Sequence, residues 1–412
     1  MAIIRPFKAV RPEEKVSHLV ASVPYDVVNR EEAAELAKGN PLSFLRVTRS
    51  EIELDAKTDP YSETVYKKAK ENWERLKKEA PLVTDETPHF YVYKLKWNEQ
   101  EQVGIAATFS AEDYDNDVIL KHEKTRKVKE DDRTNHIVTT EAQTGAVFLT
   151  YRGVAEVNTA VDKTMKENDP LYDFTAPDGV RHTVWQLPDD FKDIIIFEIE
   201  KVKNLYIADG HHRAASASRA QKVRKENNVG HTGKEEYNFF IAVLFPAEQL
   251  KILPYNRVVF KFPDGLEDNF LDKLKENFSV EETDNPNPPE RRTMCMYYDK
   301  KWYLMKTNEN VKPGETVGEK LDVSILQKYV LSPLFGIEDP RTDNNVDFIG
   351  GIRGTQELEK LVNSGKAKVA FSMYPVAVED LMNISDAGEI MPPKSTWFEP
   401  KLRDGLLVHE IK

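Results

Sequence analysis

The sequence predicts an α/β or α+β protein of two lobes. Segments of strand period and of helix period alternate along it, which is the pattern of sheets covered by helices. Its 412 residues, 40% of them hydrophobic, exceed the roughly 250 to 300 that one core can serve. A change after residue 250 toward proline-punctuated loops sets the expected lobes at 1–250 and 251–412.

The elements follow in order. Asn29 and Glu32 spell a capping box for a helix that Gly39 ends, with Asn40-Pro41 after it. A charged helix is expected from Tyr61 to Glu79, with Val65, Ala69, Trp73 and Leu76 on its buried face. His89 to Trp97 and Gln102 to Ser110 read as a hairpin across Asn98-Glu99-Gln100. After a charge-dense stretch from Asp117 to His136, a strand is expected at Ala146 to Tyr151 and a helix near Val154 to Asn168. A second hairpin follows from Tyr172 to Leu187 across Pro177-Asp178-Gly179. Ile194 to Ile199 and Leu205 to Ala208 read as strands, the second feeding a helix that starts near His211. Beyond the strand Phe239 to Phe245 come a hairpin at Met294 to Lys306 and a strand, glycine turn, helix, strand and helix from Val346 to Ile384.

Charge and cysteine usage exclude several classes. With 58 Lys plus Arg against 70 Asp plus Glu, the net charge is -12, so the surface as a whole repels nucleic acid and acidic membranes. The single cysteine, Cys295, rules out an intramolecular disulfide framework and a multi-cysteine metal site, and it points to a reducing compartment. Between Met294 and Met296 it reads as a small buried hydrophobe. Met1 to Lys8 is interrupted by charge and proline too early for a signal peptide, and no uncharged apolar run approaches the ~20 residues of a membrane helix. A cytoplasmic location is expected.

The segment richest in chemistry is Leu205-Tyr-Ile-Ala-Asp-Gly-His-His-Arg213. A short apolar strand turns at Asp209-Gly210 into a helix, so the free N–H groups of the first helical turn face whatever lies above the strand end. Gly210, His211, His212 and Arg213 are the expected phosphate holders. Arg can grip a phosphate with two parallel bonds. Asp209 can cap the helix or hold a Mg2+ ion. Alternatively Asp209 only caps, and the histidines satisfy interior carbonyls.

A second segment is Lys121-His-Glu-Lys-Thr-Arg126. It lacks the second histidine of a helical zinc motif. Glu123 is a candidate general base with His122 as partner, although such charge mixtures also make solvated helix faces. Gly350-Gly-Ile-Arg-Gly354 reads as a plain turn, and Ser22 to Val27 as ordinary loop chemistry around Tyr25 and Asp26. Pro393-Lys-Ser-Thr396, with Lys401 and Arg403, offers cations and hydroxyls in a loop.

Together, Arg5-Pro-Phe7, Pro24-Tyr-Asp-Val27, His122-Glu-Lys-Thr125 with Asp132-Arg133, Ala208 to Arg213, and Met391 to Thr396 with Phe398 to Lys401 carry a resemblance. Over nearly its full length the chain resembles the bacterial domain-of-unknown-function 1015 family. Its Asp-Gly-His-His-Arg element is similar to the phosphate-binding turn of the ParB/sulfiredoxin superfamily, which includes kinases of free serine. That resemblance implies a ParB/sulfiredoxin-like nucleotide-binding core with a second α/β lobe, and a site at Asp209 to Arg213 with Glu123 as acidic partner. Sulfiredoxin activity is not implied, since Gly210 stands where the family has its cysteine. DNA binding is demoted by the charge and the lack of a helix-turn-helix signal.

The expected function is therefore a nucleotide-dependent phosphotransferase acting on a small hydroxyl metabolite, with free L-serine the first candidate. ATP or ADP would be the donor and Mg2+ the cofactor. Glu123, Asp209 and His211 would be catalytic, with Asp209 also the metal ligand. The alternatives are a nucleotide-binding regulator without turnover and a module that binds a phosphorylated ligand. The partners expected are small molecules, with a homodimer allowed.

Overall fold

The computed structural model describes every residue except Pro313. The chain divides into two compact units: Met1–Leu250 together with Pro400–Lys412, and Lys251–Glu399. The residues from Pro400 onward thus fold with the first unit, not with the second as the sequence boundary had them. Val408–Glu410 explains this, since it pairs with both Ala9–Pro12 and Ala142–Gln143 inside the first unit.

A nine-stranded mixed sheet organises the first unit. Its order runs Ile119–Leu120, Leu205–Asp209, Val147–Tyr151, Phe239–Pro246, Gln100–Ser110, Tyr91–Trp97, Arg181–Gln186 and Tyr172–Thr175, with Ile4–Arg5 also on Gln100–Ser110. Leu205–Asp209 is parallel to Ile119–Leu120 and antiparallel to Val147–Tyr151. This register sets Leu120 opposite Tyr206, so the chain that follows it runs on toward the end of Leu205–Asp209. Phe148, Leu149, Ile207, Ala242 and Leu244 are almost fully buried in the sheet, so the strands at its centre read as near-continuous apolar runs.

The helices Lys127–Thr140 and His211–Glu226 pack against each other. Small residues on the second, Ala214, Ala217 and Ala220, are buried and permit a close approach. Ser216 Oγ donates to the Glu130 carbonyl at 3.1 Å, and Arg219 pairs with Glu130 and Asp131.

Several expected elements stand as read. Arg30–Leu36 is a helix whose capping box is closed by both Asn29–Glu32 bonds, 2.8 and 2.9 Å. Glu63–Glu79 buries Val65, Ala69, Trp73 and Leu76. Both hairpins of the first unit form. Two readings are corrected. Ile194 to Ile199 is not a strand but part of the helix Lys192–Glu200. Its buried residues, Ile195 and Ile199, lie four apart, while Ile194 and Phe197 are exposed. Residues 121 to 126 form a loop before the helix Lys127–Thr140, so Glu123 does not ride on a helix face.

In the second unit six antiparallel strands run in the order Phe278–Glu282, Lys301–Thr307, Thr293–Tyr298, Val369–Met373, Tyr255–Val259 and Val346–Gly350. Cys295 is buried there. The 350–354 segment is a short turn before the helix Gly354–Asn363. Among the described residues no helix is long and apolar enough to cross a membrane.

Candidate functional site

The strand Leu205–Asp209 ends at Gly210, whose φ of +93° is a conformation side chains rarely adopt. A Cβ there would also stand 2.8 Å from Arg213 Nε. Glycine is therefore needed twice, for the turn and for the arginine folded beneath it. The helix His211–Glu226 starts immediately afterwards with no side-chain cap. Its first-turn N–H groups and the positive end of its dipole are directed at the space above the strand end.

Arg213 does not reach outward as its place in the motif suggested. Its side chain is 8% exposed, Nη2 donates to Asp209 Oδ2 at 2.8 Å, and Nη1 donates to the Ala146 carbonyl. It braces the turn from inside. The other Asp209 oxygen, Oδ1, faces Lys401 Nζ at 3.4 Å. Burial alone would push the Asp209 carboxyl up, but Lys401 and then Arg213 outweigh it and hold the group well below the usual carboxylate range.

In this structure both Asp209 oxygens are engaged by cations of the chain itself. Each Asp209 oxygen faces a cation, so a Mg2+ ion there would meet an ammonium and a guanidinium. Among the described residues no three His, Cys, Asp or Glu side chains are gathered to hold a metal ion. A carboxylate held in that range is a weak base.

The two histidines hold the neighbouring loop. His212 Nε2 accepts the backbone N–H of Arg126 at 3.0 Å, and His211 Nε2 lies 3.5 Å from the N–H of His122. Both rings are thus acceptors for the 122–126 loop. Burial lowers the pKa of both imidazoles, most strongly for His211, which His122 depresses further. His122 itself is pushed down to about 4 by burial, and its ring meets that of His211 edge-on, 4.4 Å between centroids. Without a ligand the histidines are therefore neutral and engaged with the loop.

Held on these histidines, the loop carries Glu123 to the helix start. Glu123 Oε2 lies 3.8 Å from His211 Nδ1, and the Glu123 side chain is about half exposed. Since His211 Nε2 accepts, its proton sits on Nδ1, facing Glu123. Glu123, His211 and Asp209 are thereby brought together around one turn. Two buried nitrogens of this cluster, His122 Nδ1 and Arg213 Nε, have no hydrogen-bond partner.

Beneath the turn lies a cavity lined by Tyr25, Arg133, Thr144, Gly145, Arg213 and Asp404, among others. Arg133 donates to Asp132 at 2.9 Å and to the Thr48 carbonyl at 3.2 Å, and its guanidinium stacks over the Tyr25 ring at 4.2 Å. Asp404 enters because its backbone bridges Ser22, with N–H to O distances of 2.9 and 3.1 Å. Gly145 leaves it room, since a Cβ there would be 2.6 Å from Asp404 Oδ1. Burial pushes the Asp404 carboxyl up to about 7 although Arg213 opposes the rise.

Tyr25, Asp404 and Lys401 were missed as site residues by local reasoning. Tyr25 had been read as loop chemistry, and Lys401 as one cation in a proline-rich loop. The signal that could have found Tyr25 and Lys401 was the shared one: residues from the segments 24–27, 122–133 and 208–213 that carry the family resemblance, and Lys401 at the end of another, meet around this turn.

The fold and site define an α/β protein whose central feature is a braced strand-to-helix turn carrying an acidic loop. A family model described as "Protein of unknown function (DUF1015)" matches residues 4–324, and the chain belongs to that family. No curated protein matches it in sequence. Similar solved structures include a conserved hypothetical protein from Pyrococcus furiosus, at 12% identity and TM-score 0.35, covering 73% of this chain and 93% of that one. A free serine kinase in complex with AMP matches at 11% identity and TM-score 0.35, covering 73% and 91%. SbnI with a C-terminal truncation, from Staphylococcus aureus, matches at 12% identity and TM-score 0.38, covering 73% and 85%.

Proposed function

We propose that the protein is a nucleotide-dependent phosphotransferase acting on a small hydroxyl metabolite, with free L-serine the first acceptor to test and ATP or ADP the donor. The observation that carries this reading is the 3.8 Å approach of Glu123 to His211 at an uncapped helix start. It sets a carboxylate beside a turn suited to phosphates, as in-line transfer from a phosphate to a hydroxyl requires. The first-turn N–H groups hold the nucleotide's phosphates, and Glu123 accepts the hydroxyl proton as that oxygen bonds to phosphorus and the bond to the nucleotide breaks. Mg2+ carried by the nucleotide would supply charge neutralisation at the transferred group. Asp209 and Arg213 shape the turn, and the histidines position the loop.

Glu123→Gln tests it. Nucleotide affinity persists while formation of phosphorylated acceptor falls by about 10²-fold or more. Calorimetry beside a turnover assay on L-serine and other small alcohols reads both, and full activity in the variant removes Glu123 from the mechanism. The second reading is a nucleotide-binding regulator, favoured by the histidines, which are neutral and already committed to the loop. Binding without turnover of any hydroxyl acceptor by the parent decides for it.

A further inference from the structure

The proposed site needs a cation that can meet phosphate, and the residues expected to supply one do not. Arg213 is turned under the turn against Asp209 and the Ala146 carbonyl. His211 and His212 are neutral and accept backbone N–H groups. The C-terminal return supplies another: Lys401 reaches the turn from a segment almost two hundred residues later, with its ammonium 3.4 Å from Asp209 Oδ1. Its place there is fixed by its neighbours, since the Pro400 carbonyl accepts from Gln102 Nε2 at 3.3 Å and Asp404 bridges Ser22. The orphaned nitrogens of His122 and Arg213 mark the same turn as a place where polar groups outnumber the partners the chain provides.

Resting on the phosphotransferase reading, we infer that Lys401 is a further binding residue of that site, contacting the terminal phosphate of the nucleotide from its position on Asp209. Lysine suits this task. Its ammonium is a compact charge on a flexible four-carbon stem with three rotatable donors, so it can keep Asp209 and add a phosphate oxygen. Asp209 acquires a purpose as well: it is the anchor that keeps Lys401 at the strand end, and Arg213 still pairs with it when the ammonium tilts toward the ligand.

The experiment uses the full chain, with ADP and inorganic pyrophosphate as probes in calorimetry and the melting temperature of each ligand-free protein measured beside it. Lys401→Met weakens both probes by on the order of tenfold or more, the effect of losing one charge-assisted bond. Lys401→Arg keeps the charge and retains most of the affinity, and both variants melt near the parent. If the parent binds neither probe, the phosphotransferase reading falls and this inference falls with it. If the parent binds and Lys401→Met binds equally well, only the role of Lys401 is overturned. If both variants lose binding and melt well below the parent, Lys401 holds the fold, which also overturns it.

Discussion

Two carboxylates of the first unit, the partly buried Asp209 on the turn and the buried Asp404 in the cavity below it, share the influence of Arg213 and respond in opposite ways. Asp209 is held well below the ordinary carboxylate range and Asp404 is pushed up to about 7. Burial raises both. The difference lies in direct pairing: Asp209 has the Arg213 guanidinium at 2.8 Å and the Lys401 ammonium at 3.4 Å, whereas Asp404 faces Arg213 and Arg133 across a cavity and has Asp26 adding to its rise. A buried charge persists where cations touch it and is neutralised where they do not.

The strongest way to break the comparison is to remove the group the two acids share. Arg213→Ala strips Asp209 of its inner partner, leaves the Ala146 carbonyl without its donor and opens the space under Gly210. Loss of one partner of a buried pair costs about 3 to 5 kcal/mol. Chemical denaturation of the ligand-free protein reads the loss directly. A loss below about 1 kcal/mol would mean that Arg213 is not the brace of the turn and is available to a ligand.

The next effect separates the acids by pH. Folded Asp404 keeps its proton up to about 7, while an unfolded Asp releases it near ~3.9. Between those values the native state binds more protons, so this group's contribution falls as pH rises, by at most ~1.4 kcal/mol per unit. Asp209 runs the other way, its contribution being complete above the unfolded value and lost only as pH drops below about 3.9. Buried His122 and His136, each depressed to about 4, also stabilise with rising pH, so the informative quantity is variant minus parent. Asp404→Asn should gain steadily on the parent in melting temperature from about pH 4.5 to about pH 7 and level off above that. A constant difference across that range would show that Asp404 is ionised throughout.

What was legible in the sequence was what short-range chemistry specifies. The Asn29–Glu32 box, the Asp209-Gly210 turn and the helix after it rest on residues within a few positions of one another, and their spacing carries the information. Ile194 to Ile199 was misread because a run of β-branched residues has no clear period, and only packing shows that Ile195 and Ile199 share one face. The pairing of Arg213 with Ala146 could not be read locally, since Ala146 lies just before the neighbouring strand Val147–Tyr151, far away in sequence. That Lys401, read as a loop cation, and Asp404 reach this turn was hidden for the same reason on a larger scale. Their place depends on the pairing of Val408–Glu410 with strands near both ends of the first 150 residues, which no local pattern announces.

The smallest effect concerns the outer side of the turn, where the histidines carry the loop. His212→Ala removes the acceptor of the Arg126 N–H, a 3.0 Å bond at an exposed residue, and water can replace it. Stability should fall by only about 0.5 to 1.5 kcal/mol. The loop should loosen more than the fold, because Arg126 N–H on His212 and His122 N–H on His211 are two attachments of the segment that carries Glu123. Hydrogen exchange at Arg126 should therefore accelerate, while amides in the sheet strand Phe239–Pro246 keep their protection. Turnover, where it is found, should fall with little change in nucleotide affinity, since His212 positions the loop and does not hold phosphate. Unchanged exchange at Arg126 would show that the loop is held by other contacts, and a large loss of nucleotide affinity would return His212 to the phosphate site.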